Sequence, residues 1–354
     1  MGFQYDPSVG AFRTAFTLTS TVLPVVWKSA EFWFFLIVHV TIFCAYQMHA
    51  VDTNKTSGKH AWAMDWHAVK IVTAITTFFE VFYSNTCYGR YTKLYNQTRG
   101  ALAHSMKVTF LLRIHMDEPV RKHARLAMRY VYCSVCLMIH AAQHADPRTS
   151  LQEMCDKGWF NQAEAQSLGR HAPEARPLIV LQWAALVTRA GNAEPRFQLK
   201  INDSFCALYD DQRQILDTTA LQIPFQYFHL LSVMVQANLL MWAYNMALTE
   251  SWFATPVFIA CSTIFIGLME LSSALADPFG EDDVDFPTEL WVDEATRSAT
   301  DMMSRPMPAG LEWVFDKTKA VGGQSAPSTS LSPSTPYDKN LERESTLMDA
   351  DADD

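Results

Sequence analysis

Phe32-Trp-Phe-Phe-Leu-Ile-Val-His-Val-Thr-Ile-Phe-Cys-Ala-Tyr-Gln-Met48 is predominantly apolar, with one histidine, His39, and is about long enough to cross a bilayer core once its interfacial ends are counted. Apolar residues elsewhere in the 354-residue chain are bunched in the same way, not spread over a soluble core pattern. Trp66 to Tyr83 reads as a second span, interrupted by Lys70 and Glu80, and charge-bearing spans are usually shielded by protein or line a pore. Gln222 to Leu248 and Trp252 to Leu275 read as two more, joined by so short a link that they must be antiparallel neighbours. The expectation is an all-α membrane protein with four transmembrane helices per subunit.

Charge orients these spans. Arg13 and Lys28 precede the first, and Arg90, Lys93, Arg99 and Lys107 follow the second, so both flanks are expected in the cytosol. Residues 49–65 carry only Lys55 and Lys59 and belong outside, as does the turn near Glu250. An even number of spans then leaves both termini cytosolic. Asn54-Lys55-Thr56 is a glycosylation sequon on the expected outer side, whereas Asn96-Gln97-Thr98 falls inside.

These spans set the domain boundaries: an N-terminal segment, 1–30; the first two spans, 31–104; a cytosolic helical domain, 105–221; the second pair of spans, 222–276; an acidic C-terminal segment, 277–317; and a tail, 318–354. The tail turns to Gly, Ser, Pro and Thr and ends in DADADD, a composition that reads as disordered, with Ser332 and Thr335 before prolines. The first residues lack the pattern of a secretory or transit peptide, and Asp6 stands where a myristoylation signal after Gly2 needs Ser or Thr.

Formal net charge is −9, with the acidic excess after residue 276 and no basic stripe, which argues against a nucleic-acid partner. The seven cysteines are odd in number and scattered, and Cys133-x-x-Cys136 has no second pair to complete a zinc site. His140 and His144 sit one helical turn apart without the glutamate of a metalloprotease helix and read as ordinary surface histidines. No nucleophile elbow, phosphate loop or zincin helix is present, so an enzyme is not expected.

Asp277-Pro-Phe-Gly-Glu-Asp-Asp-Val-Asp285 places five acidic residues within nine positions, directly where the fourth span leaves the membrane. Carboxylates clustered beside a Pro/Gly-broken turn suit a hard cation such as calcium, which takes six to eight oxygens. A solvated acidic helix start explains the same composition, and the spacing is not that of an EF-hand.

The run Asp277 to Phe286, DPFGEDDVDF, is very similar to the signature that follows the last membrane helix of the bestrophin family. Phe82-Tyr-Ser-Asn-Thr-Cys-Tyr-Gly-Arg-Tyr91 and Ile223-Pro-Phe-Gln-Tyr227 resemble two further family stretches and occur in family order. The resemblance covers about residues 1–310. It implies a ring of five identical subunits in the lipid bilayer conducting chloride or bicarbonate, with calcium as regulator. It also implies that Asp282 and Asp285 supply carboxylates to a calcium clasp, that the carbonyls of Ala274 and Asp277 complete it, and that Gly10 contributes a carbonyl from the neighbouring subunit. Val284 stands where animal members carry another Asp. Ala74, Phe78 and Phe82 would form the pore neck on one face of the second span, and Asn192 a cytosolic aperture. Glu80 departs from the family and is expected to face a neighbouring helix, away from Phe78 and Phe82. Arg90, at the inner mouth, is expected to draw anions or to pair with an acidic neighbour. The other readings are a calcium-insensitive cation channel of the same fold and a membrane scaffold regulating other channels. The plasma membrane is the expected location, with an internal membrane as the other.

Overall fold

A computed structural model of the protein places residues 17, 21–52, 64–116, 120–191, 195–249, 251–280 and 282–305. Gly10, Glu281, Asn192, the sequon at Asn54 and the tail lie outside the described residues. In chain order the helices are α1 Val22–Lys28, α2 Ala30–Asp52, α3 Trp66–His115, α4 Arg121–Ala142, α5 Pro147–Asp156, α6 Gln162–Leu168, α7 Arg176–Ala190, α8 Pro195–Ala220, α9 Phe225–Ala247, α10 Ala254–Ala276 and α11 Thr288–Ser304. No strand occurs among the described residues.

Helix α3 organises the rest. Its N-cap is Asp65, whose side chain accepts the His67 N–H at 3.0 Å. It then runs for 50 residues, about 75 Å at 1.5 Å per residue. No proline interrupts it. The expected boundary at residues 104 and 105 therefore falls inside one helix, and the second span continues without a break into the helical region after it. Gly100 lies where α8 approaches closely: a Cβ there would stand 3.1 Å from Asp211 Oδ2.

Two separate apolar cores share this helix. Around its N-terminal half, Val26 of α1, Phe32 and Phe35 of α2, Leu231 and Val235 of α9 and Phe258 of α10 are buried together. Around its C-terminal half, α3 contributes Leu94, Val108 and Leu112 to a core shared with α4, α7, α8 and α11. In the second core, burial of apolar surface from water contributes roughly 25 cal/mol per Å², whereas helices packed within a bilayer gain from van der Waals contact and interhelical hydrogen bonds.

Polar residues in the first core are paired across helices. His39 of α2 stacks on Phe258 at 4.6 Å, and its ring nitrogens meet the Ala243 carbonyl at 3.0 Å and the Thr255 hydroxyl at 3.1 Å. Thr73 of α3 donates to Asn238 of α9 at 2.8 Å and accepts from the Trp242 indole at 2.8 Å. The single histidine of the first apolar run thus joins α2, α9 and α10, because a buried polar group requires a partner.

Among the described residues, the helices long and apolar enough to cross a bilayer are those containing Ala30–Met48 and Ala254–Ala276. Helix α9 has the length of a span but carries Gln236, Asn238 and Asn245, and α3 carries Lys70 and Glu80. All seven cysteines are free. Cys133 is buried, its thiol pushed up by burial, and Cys136 is half-buried and pushed up to about 12.

Candidate functional site: the exposed face of α3 and the acidic junction

Successive turns of α3 place Ala74, Phe78 and Phe82 on one face. The described chain leaves that face open: Phe78 is 67% and Phe82 57% exposed, and Ala74 is exposed as well. Glu80, between the two phenylalanines in sequence, is 1% exposed and points into the protein. Neither of its carboxylate oxygens has a hydrogen-bond partner, and the Thr76 hydroxyl one turn earlier is also buried and unpartnered. The Tyr227 hydroxyl donates to the Phe79 carbonyl at 3.3 Å, and its ring meets Phe82 edge-on at 6.3 Å, so the Ile223–Tyr227 motif braces the back of the aromatic stripe.

The acidic junction starts where α10 ends. Pro278 has no N–H, so the Ala274 carbonyl four residues earlier has no helical donor. Arg90 of α3 donates from Nε to the Ala276 carbonyl at 2.8 Å and from Nη1 to the Leu221 carbonyl. Of the two expectations for this arginine, an acidic neighbour is present in Asp277, whose charge acts on the guanidinium. Its hydrogen bonds go to backbone, because the end of a helix offers unsatisfied carbonyls.

Two phenylalanines hold the acidic segment down. Phe279 and Phe286 are buried and meet edge-on at 5.6 Å, and Phe286 also packs on Tyr91 of α3 at 4.8 Å and Trp291 of α11 at 5.6 Å. Backbone bonds close the loop, from Phe286 N–H to the Pro278 carbonyl at 3.0 Å and from Asp285 N–H to the Asp282 carbonyl at 3.0 Å. The Tyr91 hydroxyl donates to the Val284 carbonyl at 3.1 Å.

Within the loop, Asp285 Oδ2 accepts the Asp282 N–H at 2.6 Å, while Oδ1 is buried without a partner. A Cβ on Gly280 would stand 2.9 Å from that Oδ2, so the loop needs glycine here. Burial pushes the Asp285 carboxyl above its ordinary range; the Asp282 N–H opposes this, and the neighbouring Asp282 and Asp277 charges add to it. The side chains of Asp277 and Asp282 are exposed.

The Asp285 Oδ1 left without a partner and the exposed Asp282 carboxylate beside it are hard oxygens of the kind calcium takes. Among the described residues, no group of three or more His, Cys, Asp or Glu side chains gathers as a metal site. An ion here would draw largely on carbonyls. Acid count and order mark the segment in the sequence, whereas the backbone bonds of Arg90 and the packing of Tyr91, Phe279 and Phe286 appear in the structure. The aromatics flanking the acidic run were their visible signal.

Among the described residues the chain is all-helical, with two helices long and apolar enough to cross a bilayer and an aromatic stripe that the subunit itself leaves uncovered. A family model described as bestrophin, RFP-TM, chloride channel matches residues 3–305. The chain belongs to the bestrophin family, which makes it an anion channel of membranes and not an enzyme. Its fold is similar to that of a bacterial bestrophin homologue from Klebsiella pneumoniae. One mutant crystal structure of that protein is 15% identical, with 78% of this chain and 98% of that chain covered and a TM-score of 0.66. The form solved by Zn-SAD phasing is 16% identical over the same shares, again with a TM-score of 0.66. No curated protein matches the chain by sequence.

Proposed function

We propose that the protein is a calcium-activated channel for chloride or bicarbonate, built as a ring of five identical subunits with four spans each and both termini in the cytosol. The observation that carries this reading is the orientation of α3: Phe78 and Phe82 are 67% and 57% exposed, while Glu80 is 1% exposed. One subunit cannot enclose a path, but cyclic closure brings the Ala74, Phe78 and Phe82 faces together as a neck. Such a neck closes by dewetting, and the positive edges of phenyl rings accommodate an anion when it is open. The inward turn of Glu80 keeps a carboxylate off that path, which favours anions over the cation-selective alternative.

Asp282 and Asp285, with the carbonyls of Ala274 and Asp277 and that of Gly10 from the adjacent subunit, would hold the regulatory calcium. Asn192 would form the cytosolic aperture. The domain scheme keeps 31–104 and 222–276 in the membrane, most simply the plasma membrane, and 105–221 in the cytosol, with α3 running across the first boundary. Binding at a junction between subunits stabilises whichever state of the ring binds calcium more tightly.

The test is current through the full-length protein in planar bilayers under a potassium chloride gradient, with calcium stepped on the side of the acidic segment. The expected current reverses near the chloride potential, rises with calcium, and loses calcium dependence in Asp282→Ala/Asp285→Ala. A calcium-indifferent current reversing near the potassium potential overturns the reading.

A further inference from the structure

The acidic segment leads straight into α11, and the first turns of α11 wall a cavity of about 200 Å³ that no part of the proposed channel function uses. Helix α4 supplies Cys136, His140 and Gln143 to it, and the end of α5 supplies Glu153 and Lys157. His140, expected at the surface, is the group least suited to its place. Its Nδ1 is buried and has no hydrogen-bond partner. The groups that face the ring are Glu153 and Lys157 from α5, Glu289 and Asp293 from α11, and the Cys136 thiol of its own helix. The remaining helices packed on α4, namely α3, α7 and α8, bring no charged group among those that act on the ring.

These three acids differ in availability. Glu153 already holds Lys157 at 2.7 Å. Glu289 and Asp293 make no ion pair among the described residues, and Glu289 is exposed at the mouth. A proton on His140 therefore meets a Glu153 already held by Lys157 and two carboxylates free of ion pairs at the rim. Burial pushes the imidazole below its ordinary range, Glu153 and Glu289 pull it up, and Lys157 adds to the push.

We propose that His140 is a pH-sensitive latch between α4 and α11. With a neutral ring α11 stays packed along the cavity wall. A protonated ring leaves the buried position for Glu289 and Asp293, loosening α11 and the acidic segment that continues into it. The folded state binds this proton less well than the unfolded chain does. The latch is thus fully engaged above the ordinary imidazole value of about 6.5 and is lost as pH falls through the lower folded value. In its effect on the channel, the latch rests on the reading of the acidic segment as the calcium site: acidification then raises the calcium needed for activation.

The test is amide hydrogen exchange of the full-length protein in detergent across a pH series, corrected for the intrinsic pH dependence of exchange. Wild type, His140→Gln and His140→Phe are compared over Thr288–Ser304, with calcium activation of current measured in parallel. For a single proton, opening of α11 rises by at most about tenfold per pH unit of acidification in the wild type. Both variants should show a flat dependence, and His140→Phe serves should His140→Gln fail to fold. Equal acid sensitivity of α11 in wild type and variants overturns the latch. An acid-sensitive α11 in a channel indifferent to calcium keeps the latch and overturns only the calcium reading.

Discussion

The Nε of Arg90 stands 2.8 Å from the carbonyl oxygen of Ala276 and donates to it, tying the helix that carries the aromatic stripe to the last residue before the acidic segment. The same guanidinium reaches the Leu221 carbonyl ahead of α9. One side chain therefore fixes three elements. A lysine cannot reproduce the fork, because its single ammonium lacks the planar spread of donors. Arg90→Lys and Arg90→Gln should each lower stability by about 1.5–3 kcal/mol, the usual loss for a hydrogen bond to a charged group, measured by thermal unfolding in detergent.

Gly280→Ala separates the metal reading from general folding. The new Cβ would lie 2.9 Å from Asp285 Oδ2, forcing the carboxylate off the Asp282 N–H. The loop is at the surface and its phenylalanine anchors remain, so the expected stability loss is small, about 1 kcal/mol. The calcium giving half-maximal current should rise. An unchanged calcium response would place the regulatory ion elsewhere.

Phe78→Ala and Phe82→Ala should leave a folded protein, since both rings are largely uncovered by their own chain. If the stripe is the neck, each widens it and raises current in the absence of calcium. If the stripe only faces lipid, open-channel conductance and calcium dependence stay as in the wild type. Single-channel recording distinguishes these.

Glu80→Leu should be neutral or stabilising by up to about 3 kcal/mol, the usual cost of a buried polar group left without partners. The ratio of chloride to potassium permeability, read from reversal potentials, should not move. A change in that ratio would mean that Glu80 reaches the ion path.

The parts of the fold readable from sequence were those decided by hydropathy alone. Phe32–Met48 and the last apolar run carry few competing polar groups, and α2 and α10 lie where those runs predict them. Helix α3 was harder. Lys70 and Glu80 weaken its first half as a span, and its second half has the amphipathic pattern of a different environment. One helix was thus read as two regions. The inward turn of Glu80 was legible because helical geometry fixes it about 160° away from Phe82 and Phe78. The hydrogen-bond partners of Arg90 were not, since they are backbone carbonyls, which no side-chain pattern announces. His140 reads as a surface residue because its cavity is closed by α11, an element distant from it in the chain.

The uninterrupted course of α3 has a mechanical consequence. From Leu112, deep in the second core, to Phe82 is 30 residues, a rod of about 45 Å with no joint along it. A tilt of only about 1° at the far end displaces the phenyl ring by about 0.8 Å over that length. A packing change among α4, α8 and α11 that tilted this rod would be enlarged at the aromatic stripe by that length.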